Sequence, residues 1–337
     1  MTTTNVSTTA AFGVDDLSVR IGSAQILDGV TWSVERGETL GIVGESGSGK
    51  SMTVLSATGL VPRPPAVVTG RALLGQPDGS QSDLLTMTAA QLRAVRGRRL
   101  GYVFQDPSTS LNPLLTVERQ LTEGLEYHLK MRPAEASKRA VELLEMVGIP
   151  DPARRVKNYP HELSGGMRQR VMIAIALSCD PEVLIADEPT TALDVTIQAQ
   201  IVDIVRSLQQ RLGTAVIWIS HDLGVVGGLA DRIVVLYGGQ VVEQADVETL
   251  FEQRSHPYTQ GLFAARPTLG RTGSELVTIP GSPPDPRHLP AGCVFYDRCA
   301  LRLDDRCRTE RPPLVELGPE HWVRSFCATP ERQEATA

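Results

Sequence analysis

The sequence predicts an α/β fold, a mostly parallel β-sheet covered by helices on both faces. Three features carry this reading. Strand-like and helix-like segments alternate from about Leu17 to Glu243. The apolar run LGIV leads directly into GESGSGKS (Gly44 to Ser51), where Lys50 and Ser51 open a helix. A second apolar run, VLIADEP (Val183 to Pro189), ends on two carboxylates, as a buried strand delivering acids to one end of a sheet does.

In chain order the predicted elements are ETLGIVG as a strand, a helix from Lys50, the strands RLGYVFQ and PEVLIADE, a helix from Thr196, and the strands AVIWIS and RIVVLYGGQVV. Strands separated by helices indicate a mostly parallel sheet covered on both faces. The rhythm breaks between Asp106 and Leu163. There Val117, Leu121, Leu125 and Leu129 recur every fourth residue, and Val141, Leu143, Leu144 and Val147 form a second helical stripe, which predicts an inserted helical subdomain over about 106–163. Its ends are marked by the turn-forming stretches DPSTSLNP and DPARRVKNYP. After Gln253 the composition turns to Pro, Gly and Arg, with IPGSPPDPRHLP (Ile279 to Pro290) as a stiff connector and a small cysteine-bearing segment beyond it. The expected division is a disordered tail over 1–12, a core over 13–253 and a C-terminal extension over 254–337. There is one phosphate loop and no internal repeat, so one nucleotide-binding unit is expected.

The chain has 337 residues, 41% of them hydrophobic and 21% charged, which is ordinary globular composition. A net charge of -6 speaks against a nucleic-acid partner. Arg93, Arg96, Arg98 and Arg99 form the one tight basic run, read as a solvated helix edge. No apolar run approaches the roughly 18 residues that a membrane span needs. The opening MTTTNVSTTAAF has neither a basic start nor a hydrophobic centre, so no signal peptide is expected and the protein is placed in the cytoplasm.

GESGSGKS fits the phosphate-cradling loop in its required strand, loop and helix context. Gly44, Gly47 and Gly49 allow backbone N–H groups to turn toward phosphate oxygens, with Glu45, Ser46 and Ser48 completing the loop and the helix N-terminus adding a favourable dipole. Lys50 is expected on the β and γ phosphates and Ser51 on Mg²⁺. Asp187 is expected in the Mg²⁺ shell, and Glu188 beside the attacking water. LSGGMRQR (Leu163 to Arg170) is a second glycine-rich turn, Ser164, Gly165 and Gly166, opening a helix over Met167 to Ser178. A chain with one nucleotide does not need two such anion sites. A head-to-tail dimer, in which the turn of one subunit covers the γ-phosphate held by the other, explains both.

Of the five cysteines, Cys179 stands alone in an apolar helix and reads as a buried thiol, while Cys293, Cys299, Cys307 and Cys327 cluster near the end. In a reducing compartment this clustering points to a metal site rather than to disulfides. The spacing C-x5-C-x7-C-x19-C lacks the short C-x2-4-C pair typical of zinc and suits an iron–sulfur cluster at least as well.

GESGSGKS, LSGGMRQR, VLIADE, TALD and ISHD, in this order, resemble the nucleotide-binding subunit of an ABC transporter. The resemblance covers roughly Leu17 to Cys327. It implies a RecA-like P-loop ABC ATPase core with an antiparallel β subdomain, the helical subdomain and two ATP molecules sandwiched in a dimer. It further implies that Gln105 of VFQDP contacts Mg²⁺ and links core to helical subdomain, that Asp194 of TALD reaches across the dimer, and that His221 of ISHD contacts the γ-phosphate. The residue before Gly22, where the family usually stacks adenine on an aromatic ring, is Ile21, which implies weaker base stacking. Met167 replaces a common Gln of the signature. Glu188 is present, so a hydrolytically competent site is expected.

DPSTSLNPLLTV, HPYTQGLFAARP and IPGSPPDPRHLPAGCVFYDRC are similar to the oligopeptide/dipeptide importer branch, which includes nickel and glutathione systems. That resemblance implies a bacterial protein at the cytoplasmic face of the membrane, a related but different partner ATPase, two membrane permeases, an extracytoplasmic substrate-binding protein, and a [4Fe-4S] cluster on Cys293, Cys299, Cys307 and Cys327. A soluble ABC ATPase acting on nucleic acid is the reading of a different class. It is disfavoured because the chain has no long coiled coil, no zinc insertion within the core and no second ATPase unit. A P-loop kinase is disfavoured by LSGGM.

Overall fold

The computed structural model describes residues 9–76, 78–191, 194–265, 278–302 and 305–327. Strands β1 (Phe12–Ile21) and β2 (Ala24–Val34) form an antiparallel pair, and β3 (Thr39–Val43) feeds the phosphate loop and helix α1 (Lys50–Ala57). Next come β4 (Ala66–Gly75), β5 (Gln81–Asp83), α2 (Ala89–Val95) and β6 (Leu100–Val103). The helical insertion holds α3 (Pro107–Ser110), α4 (Val117–Leu129), α5 (Pro133–Met146) and α6 (Pro152–Arg155). The chain re-enters the core through α7 (Gly165–Leu177), β7 (Val183–Asp187), α8 (Val195–Leu212), β8 (Ala215–Ser220), α9 (Leu223–Leu229), β9 (Arg232–Tyr237) and β10 (Gln240–Asp246). It closes with α10 (Val247–Gln253), α11 (Pro257–Ala264), α12 (Asp305–Thr309), β11 (Val315–Gly318) and β12 (His321–Val323).

Two sheets result. One is antiparallel, in the order β2-β1-β4-β5; the other has eight strands in the order β11-β12-β10-β9-β3-β8-β7-β6. β3, β6, β7, β8 and β9 run parallel and form the centre. Every residue of β3, β7 and β8 is buried, which is why those segments read as unbroken apolar runs. Val54 and Ala57 of α1 share a core with Phe12, Leu17 and Val30 of the antiparallel sheet and Ile42 and Ile217 of the parallel one, so α1 lies wedged between the sheets.

The helical insertion follows its stripes. Val117, Leu121 and Leu125 are fully buried, Leu143, Leu144 and Val147 nearly so, and Leu129 and Val141 pack at the edge of the same cluster. Thr116 caps α4 by accepting from the Arg119 N–H at 3.3 Å.

Four sequence expectations are corrected. The tail is shorter than 1–12, because Ala10, Ala11 and Phe12 are buried and Phe12 opens β1; residues 1–8 lie outside the described residues. The helix placed from Thr196 starts at Val195, and the one placed from Met167 starts at Gly165, since Asp194 and Ser164 act as their N-caps. The arginine run is not a solvated edge. Arg96 donates to Thr58 O and Gly59 O at 2.7 and 2.6 Å, Arg98 donates to Cys179 O at 2.7 Å, and Arg99 pairs with Glu182; only Arg93 ends an exposed helix. Backbone carbonyls left open at the ends of α1 and α7 take up the guanidinium groups of Arg96 and Arg98.

The cysteine-bearing extension is not an appendage, because β12 pairs with β10 and continues the main sheet. Glu243, fully buried on β10, secures the join by accepting from Ser255 N at 2.6 Å, His256 N at 3.0 Å and the His321 ring at 2.9 Å. A buried carboxylate requires such partners, and here two separate segments of the extension, Ser255–His256 and His321, supply them.

Candidate active site

The phosphate loop begins where β3 ends. Gly44, Gly47 and Gly49 hold φ of 152°, 80° and 105°, in the region that side chains other than hydrogen disfavour. At Gly44 the reason is also steric, since an added Cβ would meet Leu236 O at 2.2 Å. Ser48 N donates to Glu45 O at 3.1 Å, and Gly239 N donates to Ser48 O at 3.1 Å, tying the loop to the β9–β10 turn. Ser48 is buried, Ser46 and Gly47 face solvent, and Gly49 occupies the N-cap of α1.

Lys50 folds back over the loop and donates to Gly44 O at 2.8 Å and Glu45 O at 3.1 Å. Its side chain is 5% exposed, and burial lowers its pKa despite the nearby Glu188, Asp187 and Glu45 carboxylates. Ser51 Oγ donates to Asp187 Oδ1 at 2.8 Å, so the two oxygen groups expected on a metal meet across the α1–β7 gap. Asp187 also accepts from Tyr102 Oη at 3.2 Å, and burial raises its pKa. Hydroxyl and carboxylate oxygens brought together on a poorly solvated carboxyl are the donor set a hard divalent cation prefers.

Glu188, one residue past β7, has φ of 46°, an uncommon conformation for a residue with a side chain. This turn aims the carboxylate at a ring of donors. It accepts from Thr191 Oγ1 at 2.9 Å and Gln105 Nε2 at 3.1 Å, and it lies 3.4 Å from His221 Nδ1 and 3.9 Å from Lys50 Nζ. Lys50, Ser51, Gln105, Asp187, Glu188 and His221, drawn from distant stretches of the sequence, thus converge at the C-terminal ends of β3, β6, β7 and β8. In open α/β sheets ligands bind at that edge.

Among the described residues, Ser164, Gly165, Gly166 and Asp194 make no hydrogen bond to this group. Ser164 Oγ accepts from Met167 N at 3.3 Å and starts α7, and Asp194 Oδ1 accepts from Ile197 N at 2.9 Å and starts α8. The two turns adjoin, because a Cβ on Gly166 would come within 3.1 Å of Ile197 Cγ2. Ala192 and Leu193 of TALD lie outside the described residues. Ile21, the expected replacement for an adenine-stacking ring, is half-buried at the end of β1, opposite Ala24 and Ala66.

Cys293, Cys299, Cys307 and Cys327 are free thiols lining one cavity together with His256, Phe295, Tyr296 and Phe326. Burial pushes the Cys293 thiol up to about 11, with the neighbouring Cys307 and Cys327 adding to the effect. Among the described residues no group of three or more His, Cys, Asp or Glu side chains is arranged to hold a metal ion. Cys179 is buried in the core, as expected. No described helix is long and apolar enough to cross a membrane.

Sequence reading missed Tyr102 and Thr191 as partners of the two acids, and it missed Tyr258 and Arg298, which both bond Glu45 within the phosphate loop. No spacing rule marks any of the four. HPYTQ and DRC lie in stretches similar to the oligopeptide/dipeptide importer branch, yet nothing local says that they reach residue 45.

Comparisons with known proteins agree with this geometry. The family described as ABC transporter matches residues 27–191, and the oligopeptide/dipeptide transporter C-terminal region matches residues 242–307. The chain is 46% identical to the oligopeptide transport ATP-binding protein OppD of Bacillus subtilis (strain 168) over 97% of its own length and 91% of that protein's. It is 48% identical to the dipeptide transport ATP-binding protein DppD of the same organism, over 84% of this chain and 83% of that one. Among solved structures, a dimeric post-hydrolysis ATP-binding cassette bound to ADP and Pi superposes with a TM-score of 0.61 at 28% identity, covering 70% of this chain and 98% of that one. Near-full-length identity of this size, with both family regions present in order, means that the chain belongs to the ATP-binding subunits of the ABC transporter family, in the branch that carries the oligopeptide/dipeptide C-terminal region.

Proposed function

We propose that this subunit hydrolyses ATP to drive import of oligopeptides or dipeptides. The observation that carries the substrate class is the match over residues 242–307 to the oligopeptide/dipeptide transporter C-terminal region. The relatives named for oligopeptide and dipeptide transport support the same class.

In this reading Lys50 leaves Gly44 O and Glu45 O and turns to the β and γ phosphates, where its charge is of most use. Ser51, Asp187 and Gln105 would hold Mg²⁺, which supplies charge neutralisation on the phosphate oxygens when bound. Glu188 orients the attacking water and accepts its proton, and His221 holds the γ-phosphate side of the site. Gly47, Ser48 and Gly49 present N–H groups to the phosphates, with Ser46 at the loop's exposed tip. Ser164, Gly165 and Gly166 cover the γ-phosphate held by a partner ATPase, and Asp194 reaches toward that partner. Their position away from the chain's own phosphate loop supports this division between two subunits. The partner is a related, non-identical ATPase, and the pair docks on two permeases at the cytoplasmic face of a bacterial membrane, through the groove between core and helical insertion after Gln105. Substrate arrives on an extracytoplasmic binding protein.

Cys293, Cys299, Cys307 and Cys327 would hold a [4Fe-4S] cluster, which supplies four iron–sulfur bonds across the extension when bound. Support comes from four free thiols on one cavity. Replacing Cys299 by Ser should remove iron and brown colour from anaerobically purified protein; a wild type holding zinc or no metal would end the cluster assignment. For the function itself, the subunit is co-reconstituted with its permeases and binding protein in vesicles. Peptide-dependent ATP hydrolysis is expected, and stimulation by Ni²⁺ or glutathione but not by peptide would overturn the substrate class.

A further inference from the structure

The phosphate loop carries a carboxylate at Glu45, in a site built to receive a polyanion. Two residues of the C-terminal extension hold it. Arg298 donates both ends of its guanidinium to Glu45, Nη1 to Oε2 at 2.6 Å and Nη2 to Oε1 at 3.0 Å. The Arg298 side chain is 5% exposed, and it is fixed from behind by Pro280 O at 2.8 Å, Ile279 O at 3.2 Å and Tyr237 Oη at 3.3 Å. Tyr258 Oη accepts the backbone N–H of the same Glu45 at 2.8 Å. The rings of Tyr237, Tyr258 and Phe295 pack on one another at 4.4 to 5.5 Å, and Phe295 lies between Cys293 and Cys299 in sequence.

We propose that Arg298 and Tyr258 are positioning residues for ATP: Arg298 neutralises and orients Glu45, Tyr258 sets the loop backbone, and the extension thereby sets nucleotide affinity. This rests on the assignment of Gly44 to Ser51 as the phosphate site. A bidentate arginine–carboxylate pair removes the loop's own negative charge and fixes its direction. Without Arg298 the Glu45 carboxylate, one-quarter exposed, repels the incoming triphosphate. The predicted signature is therefore electrostatic and reversible by a second substitution, which a purely structural role is not.

The test is equilibrium binding of ATP to the full chain at low and high salt. Arg298→Gln should weaken ATP roughly tenfold at low salt, the scale of one unit-charge repulsion, and less at high salt. Adding Glu45→Gln should restore affinity to within about threefold of wild type, because the repelling charge is gone. Arg298→Lys, which keeps the charge, should lose less than Arg298→Gln. If Arg298→Gln fails to fold, Tyr258→Phe decides the matter, with weaker ATP binding expected at unchanged thermal midpoint. Unchanged affinity in Arg298→Gln, no rescue by the double variant, or, where Arg298→Gln does not fold, unchanged affinity in Tyr258→Phe overturns the proposal. Lys50→Ala separates the two layers. If it leaves ATP binding intact, the phosphate-site assignment itself fails; if it abolishes binding while Arg298→Gln does not weaken it, only the positioning role fails.

Discussion

Replacing Glu188 by Gln isolates the proposed base with little change of shape. The amide oxygen can take the Oε2 position, where it still accepts from Thr191 at 2.9 Å and Gln105 at 3.1 Å. Its NH₂ group then occupies the Oε1 position, 3.9 Å from Lys50 Nζ, so an attraction becomes two donors facing each other. In the nucleotide-free protein that costs about 1 kcal/mol, and the penalty vanishes once Lys50 turns to a phosphate. ATP binding should therefore survive. The amide cannot accept the water proton, and losing a positioned general base slows chemistry roughly 10²- to 10⁴-fold, about 2.7 to 5.5 kcal/mol in the barrier. The assay is kcat and KM for ATP in the assembled transporter, with ATP-dependent dimerisation followed by size-exclusion chromatography. A collapsed kcat, a KM near wild type and a dimer that persists with ATP are expected. A kcat within about tenfold of wild type would refute the role given to Glu188.

Three further outcomes follow from the same geometry. Glu243→Ala strips three buried donors of their acceptor and should lower unfolding free energy by about 3 to 5 kcal/mol in urea titrations; a loss under about 1 kcal/mol would mean that β12 is held by strand pairing alone. His256 is 1% exposed, and burial pushes its pKa down to about 4, so the native state refuses a proton that the unfolded chain takes near the ordinary pKa of about 6.5. Stability should therefore fall as pH drops from about 6.5 toward 4, by about 3 kcal/mol from this group, and His256→Asn, which can still cap α11, should flatten that part of the profile; parallel profiles would remove His256 as its source. Gly44→Ala should abolish nucleotide binding because its Cβ would meet Leu236 O at 2.2 Å, whereas Gly47→Ala, with φ of 80° but open space around it, should cost only about 1 to 2 kcal/mol; equal effects would show that backbone angle rather than contact governs the loop.

Much of the active site was legible because its signals are local. A strand, a glycine loop and a helix declare GESGSGKS within a dozen residues, and an apolar run ending in Asp187 and Glu188 declares β7. Gln105 and His221 were legible through resemblance, and the structure sets both beside Glu188. The arginine run misled because charge suggests solvent, while the carbonyls that Arg96 and Arg98 satisfy lie 37 to 81 residues away. Helix starts were misplaced by one or two residues because caps at Ser164 and Asp194 extend each helix beyond its apolar stripe.

On its own, the order of residues determined the parallel strands, the helical stripes, the phosphate loop and the pair of acids, since period and spacing act over a few residues and survive in any surroundings; RIVVLYGGQVV, read as one strand, folds as the antiparallel pair β9 and β10. Tertiary structure decided the rest. The extension became part of the main sheet because a buried carboxylate on β10 needed donors, and two of its segments supplied three of them. Glu45 acquired Arg298, 253 residues away, for a similar reason: a charge in a crowded site needs a counter-charge, and only the packing of distant surfaces settles which one arrives.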